Sequence, residues 1–500
     1  MVQHMSKDTG DESPSTRRDP VTDESHQAVS SPLNSSEDHT PKDIITKLNY
    51  EQIVLVLRAP EEYGGYQIYS LTEDAKPEDS KPFSLSITQI PRLPDDSPLK
   101  DFLLDGDEIL PPHLSPPRQV HVVVSTRSGL RQAQDFYDGV LRLLFKALGL
   151  ERSEADNGEG QGYRVTFTKD SSTIRNLARE LGTDTRAGEK TIILLSGDGG
   201  VVDLLNGLDQ TQSPSSTPPT IALLPLGTGN ALFHSLHKPH YSGRTPIPSP
   251  LVLGLRTLCR GHHAPLPAFK ASFSPGAKLV SAPVEPDPAA AENPSAAKDH
   301  EKETPVSHLL GAIVASYGFH ASLVWESDTP AYRAHGDKRF GMAAAELLKV
   351  AHGYEARVEV RRKGEERRVS LSPNKTSGDG SKFNYVLTTL VSNLEKTFTI
   401  SPASRPLDGQ LRLVHFGDVS GEKTMEIMMA AYRGGEHVGM EEVGYEEVEE
   451  VKVTITEEDP RWRKVCIDGS IVELERGGWM SIQREQRERL TVLVHGYESR

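Results

Sequence analysis

Cysteine is almost missing from this chain: Cys259 and Cys466 are the only two, far apart and outside any CxxC spacing. Neither a disulfide framework nor a cysteine zinc site is indicated, and a reducing compartment fits best. Long apolar runs are lacking as well. No window approaches the unbroken length that a bilayer span needs, and the opening MVQHMSKDTGDESPSTRRDP holds no signal-peptide core. The expectation is a cytoplasmic protein, peripheral to membranes at most. Positive charge is in deficit: the formal net charge of -15 argues against nucleic-acid partners and against broad affinity for anionic membranes, though a local basic patch stays compatible. The 18 histidines show no HExxH or paired-ligand spacing, so no metal site is expected from them.

Hydrophobic residues make up only 36% of the 500, beside 41 Gly and 35 Pro, which suits ordered domains interrupted by disordered stretches. Residues 1–47 read as a disordered tail, rich in Ser, Asp, Glu, Lys and Pro. Residues 48–115 alternate short apolar runs, such as Ile53 to Leu57 and Phe83 to Ile87, with Pro/Asp/Gly turns, and read as a β-rich extension. Residues 116–262 repeat strand, turn and helix. The runs Val120–Val124, Tyr163–Phe167, Ile192–Leu195 and Ile221–Leu224 are strands between helical stripes, the last two apolar throughout, which implies a parallel sheet covered on both faces. Residues 263–307 are Pro-, Ala- and charge-rich and read as a disordered insertion. Residues 308–500 hold one helical segment around Lys338 to His352. After it come alternating runs at Ala356–Val360, Tyr385–Val391, Leu411–Val414, Val451–Ile455 and Leu490–Val494, expected to form a mostly antiparallel β-sandwich. The fold class is therefore an α/β domain followed by a β domain, with a cleft between them.

Two glycine turns carry the chemistry. Ser196-Gly197-Asp198-Gly199-Gly200 follows one apolar strand directly, and Pro225-Leu226-Gly227-Thr228-Gly229-Asn230 follows the next. Open α/β sheets bind ligands beyond the carboxyl ends of their strands, and missing Cβ atoms let backbone N–H groups approach phosphate oxygens. Asp198 could instead merely cap the helix that begins there. The doubled design favours a phosphate cradle, with the Thr228 hydroxyl and Asn230 amide available to a nucleotide. Neither turn is a P-loop or a dinucleotide fingerprint, since Gly-Lys-Ser/Thr and GxGxxG are both absent.

On these two turns the chain resembles the diacylglycerol, sphingosine and ceramide kinase superfamily, whose GDGT-like turn precedes E-x-x-N-G-L and whose second turn is P-x-G-T/S-x-N; here they read SGDGGVVDLLNGL and PLGTGN. The resemblance runs from about Val120 to the end and implies an ATP-binding α/β domain beside a β-sandwich that receives a lipid, with ATP and Mg2+ as co-reactants. It implies that Asp198 is the general base on the lipid hydroxyl. It assigns nucleotide contacts to Ser125, Thr126 and Arg127 in the first loop, to Thr168, to Ser196, Gly197, Gly199, Gly200 and Asp203, and to Gly227, Thr228, Gly229 and Asn230. The stretch Tyr332 to Phe340 is similar to the sphingosine kinase segment Y-R-x-x-G-x-x-R-F, which makes Arg333 and Arg339 phosphate-binding arginines, and Asp468-Gly469 resembles the D-G-E turn that returns to the nucleotide. Ser322 falls where sphingosine kinases carry the acid that reads the lipid amine, and Glu326 or Asp328 is a nearby carboxylate that could replace it. Sphingoid base and diacylglycerol both stay open as acceptor. The competing readings are a weakly active or silent nucleotide- or lipid-binding regulator of this fold and, further off, an NAD kinase.

Overall fold

The computed structural model describes residues 45–496 apart from 75–80, 105–109, 154–161, 185–187, 214–215, 242–246, 282–302, 334, 336–337 and 374–379. The expected tail lies outside the described residues up to position 44, while Ile45 and Leu48 already pack against a small core built on the first strands. Those strands, β1 (Ile53–Arg58), β2 (Tyr66–Glu73) and β3 (Phe83–Ile90), form an antiparallel meander. The meander is docked on the α/β domain. The Arg256 guanidinium donates to the carbonyls of Ile53 at 2.8 Å and Tyr50 at 2.7 Å, and Phe83 meets Phe136 edge to face at 5.2 Å.

The α/β domain is built on β4 (Gln119–Val124), β5 (Tyr163–Phe167), β6 (Lys190–Ser196) and β7 (Thr220–Pro225), parallel in the order β5-β4-β6-β7. Alternate residues of the three inner strands face two different cores. Val122, Val124, Ile193, Leu195, Ala222 and Leu224 face one core, shared with Val140, Leu144 and the Pro250–Arg260 helix, while Val123, Ile192, Leu194 and Ile221 face another, shared with the Thr173–Thr183 and Asp198–Asp209 helices. A sheet buried on both sides has no use for a polar alternation. Gly182, in the last turn of the Thr173–Thr183 helix, allows the close approach of Thr211, whose Oγ1 would lie 2.1 Å from a Cβ there.

Two expectations are corrected here. The stretch 263–307 is not one disordered insertion: His262–Pro265 is a strand, β8, and Phe269–Phe273, Lys278–Val280 and Thr304–Pro305 are strands as well, while residues 282–302 lie outside the described set. The composition misled because its Pro and charge are concentrated beyond position 281, whereas Phe269, Ala271 and Phe273 alternate inward. The run Leu490–Val494 does not belong to the second domain either. Thr491–Val494 returns to the first sheet, parallel to β7 and antiparallel to β8, so the sheet has six strands and the chain's last strand ties both domains together.

The second domain is one antiparallel sheet of 14 strands between Phe269 and Arg484, eleven of them in a continuous path and three branching from it. Among the described residues its three helices of nine residues or more are Phe319–Ser327, Lys338–Val350 and Gly421–Tyr432; the sequence reading passes over the first and the last. The helix at 421 had a readable start, since Ser420 Oγ accepts from Lys423 N–H at 3.2 Å. One apolar core runs from Leu204, Leu205 and Leu208 into Phe269, Leu309 and Leu310, so the Asp198–Asp209 helix is sandwiched between the domains.

Candidate functional site

The carboxyl ends of β4, β6 and β7 place three loops against one another. Gly129, at φ 51, lies where a Cβ would sit 2.5 Å from the Leu226 carbonyl, and a Cβ on Gly227 would be 2.3 Å from Gly197 Cα. Backbone touches backbone, so only glycine fits at Gly227 and Gly197. Gly197 N–H donates to Ser128 Oγ at 3.0 Å, which fastens the first loop to the second. Thr126 N–H donates to Thr168 Oγ1 at 3.0 Å and the Thr126 hydroxyl donates to the Thr168 carbonyl at 2.8 Å, fixing the Ser125–Gly129 loop to the end of β5. Arg127 projects from that loop into solvent. A Cβ on Gly200 would lie 2.3 Å from Ser196 Oγ, so the hydroxyl at Ser196 and the bare glycine one helical turn later go together.

Gly199 differs from these. No atom lies within 4 Å of where its Cβ would be. Its N–H, in the first turn of the Asp198–Asp209 helix, and those of Thr228 and Gly229 find no acceptor among the described residues. Unpaired amides around a bare glycine at a helix start make a fitting cradle for phosphate oxygens.

Asp198 does cap a helix, but not its own. Its Oδ2 accepts from Ala231 N–H at 2.8 Å and its Oδ1 from Leu232 N–H at 3.1 Å, so it closes the start of the Ala231–His237 helix that follows the second glycine turn. Desolvation raises its pKa above the ordinary aspartate value, against the pull of those two amides. Asn230 is committed elsewhere: at φ 52, its Oδ1 accepts from Gly227 N–H at 3.0 Å and its Nδ2 donates to the Gly227 carbonyl at 2.9 Å. Asn230 thus clamps the turn, while the Thr228 hydroxyl stays exposed.

Asp468 and Gly469 sit at a two-residue hairpin turn, at φ 47 and 89, joining Lys464–Ile467 to Ser470–Glu473. The Asp468 carboxylate accepts from Ala312 N–H at 2.6 Å, Val314 N–H at 2.5 Å and Ile313 N–H at 3.1 Å. Burial pushes its pKa up to about 7 against those amides, and the Asp198 charge adds to the rise. Asp203 pairs with Arg175 at 3.1 Å, and burial nonetheless lifts it to about 6.

The remaining candidates are joined to other partners. Arg333 holds Asp328 with two hydrogen bonds, of 3.0 and 2.6 Å, and Arg339 reaches the same carboxylate at 3.0 Å, so the two guanidinium groups are brought together on one acid. Ser322 is buried and accepts from the Tyr354 hydroxyl at 2.9 Å, and Glu326 pairs with Arg461 at 3.2 Å. Sequence reasoning missed Asn206. Its Oδ1 accepts from Leu310 N–H at 3.0 Å and its Nδ2 donates to the Leu310 carbonyl at 2.9 Å, which couples the Asp198 helix to the second domain. Gly207 beside it lets Arg175 and Ala178 come within 2.5 Å of its missing Cβ, so both Asn and Gly of the NGL triplet have structural duties. No group of three His, Cys, Asp or Glu suited to a metal occurs among the described residues.

Residues 119–265, which hold both glycine turns, match the model of the family described as diacylglycerol kinase catalytic domain. The likeness to that family is confined to this segment. Two solved structures from Bacillus anthracis, named as diacylglycerol kinases, are similar to the chain at 14% and 13% identity. They give TM-scores of 0.48 and 0.42, with 76% of this chain covered in each case, and 95% and 97% of theirs. A comparison with curated proteins finds no match. Within the diacylglycerol kinase catalytic domain, both glycine turns and Asp198 fall inside the matched segment, and Asp468 comes from outside it. No helix among the described residues is long and apolar enough to cross a membrane.

Proposed function

We propose that the protein is an ATP-dependent lipid kinase whose acceptor is an uncharged, diacylglycerol-type alcohol, with Asp198 as the base that takes the proton of the lipid hydroxyl. The observation that carries this reading is the nesting of the two glycine turns, with the unpaired amides of Gly199, Thr228 and Gly229, around a carboxylate whose basicity is raised by burial. In-line phosphoryl transfer asks a protein mainly to position the phosphates and to offset their charge, with a base for the nucleophile. Such a base contributes ~10²- to 10⁴-fold. Asp198 keeps lone pairs beyond the two that its cap uses. Mg2+ would enter bound to the nucleotide phosphates and offset their charge, as this ion commonly does, without a dedicated protein cage. Ser125, Thr126, Arg127 and Thr168 would line the nucleotide side, and Arg333 and Arg339 would exchange Asp328 for phosphate.

The acceptor follows from charge. An ammonium on a sphingoid base needs an anionic partner; Ser322 is neutral and held by Tyr354, and Glu326 is already paired with Arg461. One observation favours a second reading, a nucleotide- or lipid-binding regulator of the same fold: both oxygens of Asp198 serve as a helix cap. Labelled γ-phosphate from ATP, offered with diacylglycerol, sphingoid base and ceramide, separates the two. Labelled phosphatidic acid supports the proposal, and no labelled lipid with any acceptor sinks it in favour of the regulator.

A further inference from the structure

Away from the cleft, a hairpin joins the strand Tyr354–Arg361 to the short strand Val369–Ser370 and carries Arg367-Arg368-Val369-Ser370, the only Arg-Arg-x-Ser in the sequence. Val369–Ser370 pairs on one side alone, Val369 opposite Val360 and Ser370 opposite Glu359, and its other edge is unpaired among the described residues. Leu371 N–H donates to the Val358 carbonyl at 2.8 Å. Antiparallel ladders alternate hydrogen-bonded and non-bonded pairs, so Ser370 opposite Glu359 is a non-bonded pair and its own N–H and C=O point to the free edge. Ser370 is exposed, and so is Arg367, which makes no ion pair among the described residues.

An extended segment with a free backbone edge, a solvent-exposed hydroxyl, and guanidinium groups two and three residues before it suits one kind of partner: the cleft of an arginine-directed serine/threonine protein kinase. That cleft takes its substrate extended and reads the arginines with carboxylates. We infer that Ser370 is a phosphorylation site for such an enzyme. In the transfer the Ser370 hydroxyl gives its proton to the protein kinase's base, a bond forms from Oγ to the γ-phosphorus of ATP, the bond from that phosphorus to the bridging oxygen breaks, and ADP leaves.

The modification has a local consequence. Residues two apart on a strand share a face, so the new dianion lies beside Arg368 and opposite Glu359. Arg368 is bound to Glu450, a nearly buried carboxylate, and the phosphate competes for that guanidinium.

The test uses the full chain, a purified arginine-directed serine/threonine protein kinase and γ-labelled ATP, with a control lacking the added enzyme to subtract any self-labelling. Incorporation is expected to approach one phosphate per chain, mapped to Ser370 by mass spectrometry. It is expected to vanish in Ser370→Ala, persist in Ser372→Ala, and slow about tenfold in Arg367→Ala, the loss of one charge-assisted contact. No incorporation into the folded chain, or incorporation undiminished in Ser370→Ala, overturns the inference.

Discussion

Asp198 and Asp468 stand on opposite domains, and the charge on Asp198 adds to the burial that holds Asp468 up at about 7. Each is also a cap: Asp198 for the amides of Ala231 and Leu232, Asp468 for those of Ala312 to Val314. Whatever binds between them meets two acids whose geometry is set by backbone on both sides.

Asp198→Asn is expected to abolish phosphoryl transfer to lipid while the fold persists. The substituted amide can accept from only one of the two N–H groups, so about 1 kcal/mol of stability goes with the lost half of the cap. Thermal unfolding beside a labelled-ATP assay reads both effects. Transfer that survives in a folded Asp198→Asn protein would remove Asp198 as the base.

Asp468 gives a pH dependence of defined sign. Its folded pKa of about 7 lies above the ordinary aspartate value of 3.8, so the folded state holds the proton more tightly. The stability it contributes is fully present below the unfolded value and is lost as pH rises through 7, by up to about 4 kcal/mol. Asp203, lifted to about 6, acts in the same direction. Denaturant unfolding between pH 4 and 8 should show the wild type losing stability relative to Asp468→Asn as pH rises; parallel curves would contradict the placement of this proton.

The glycines divide into two kinds, and substitution tells them apart. Gly227→Ala places a Cβ 2.3 Å from Gly197 Cα and is expected to lower the melting temperature sharply. Gly199→Ala meets nothing within 4 Å and should leave stability within about 1 kcal/mol, yet weaken nucleotide binding by crowding the phosphate. An ATP titration unchanged in Gly199→Ala would remove the cradle from that turn.

Much of this was legible in the sequence, for a physical reason. Strands buried on both faces are mostly apolar, so β6 and β7 announce themselves, and glycine turns at their ends mark where loops crowd. What the sequence hides is long-range pairing. Asp198 caps a helix 33 residues further on, Asn206 grips a backbone 104 residues away, and Thr491–Val494 finds its sheet across the whole second domain. None of these leaves a local period or spacing. The strands at Phe269–Phe273 and Lys278–Val280 were hidden differently, by reading one average composition over a stretch that changes character at about residue 281.

Asn206 offers a test of how the domains are held. Asn206→Leu keeps the volume but strips the partners from Leu310 N–H and C=O, both in a buried setting. The expected cost is about 2 to 4 kcal/mol, from two unsatisfied backbone groups. Differential hydrogen exchange should show the loosening at His308–Gly311 before the parallel sheet opens. Protection there unchanged from wild type would mean that the shared apolar core alone joins the domains.

The proposed acceptor rests on charge. With Ser322 held by Tyr354 and Glu326 by Arg461, an ammonium would enter a site with no free carboxylate among these residues, and an unpaired cation costs several kcal/mol there. Diacylglycerol brings no charge. Competition between diacylglycerol and a sphingoid base in mixed micelles should therefore give phosphatidic acid in excess by at least about tenfold in kcat/KM, the equivalent of ~1.4 kcal/mol in transition-state binding. Equal or reversed preference would mean that Glu326 leaves Arg461 to meet the amine. Arg461→Ala then distinguishes that case: it should raise sphingoid-base turnover only if Glu326 is the group being released.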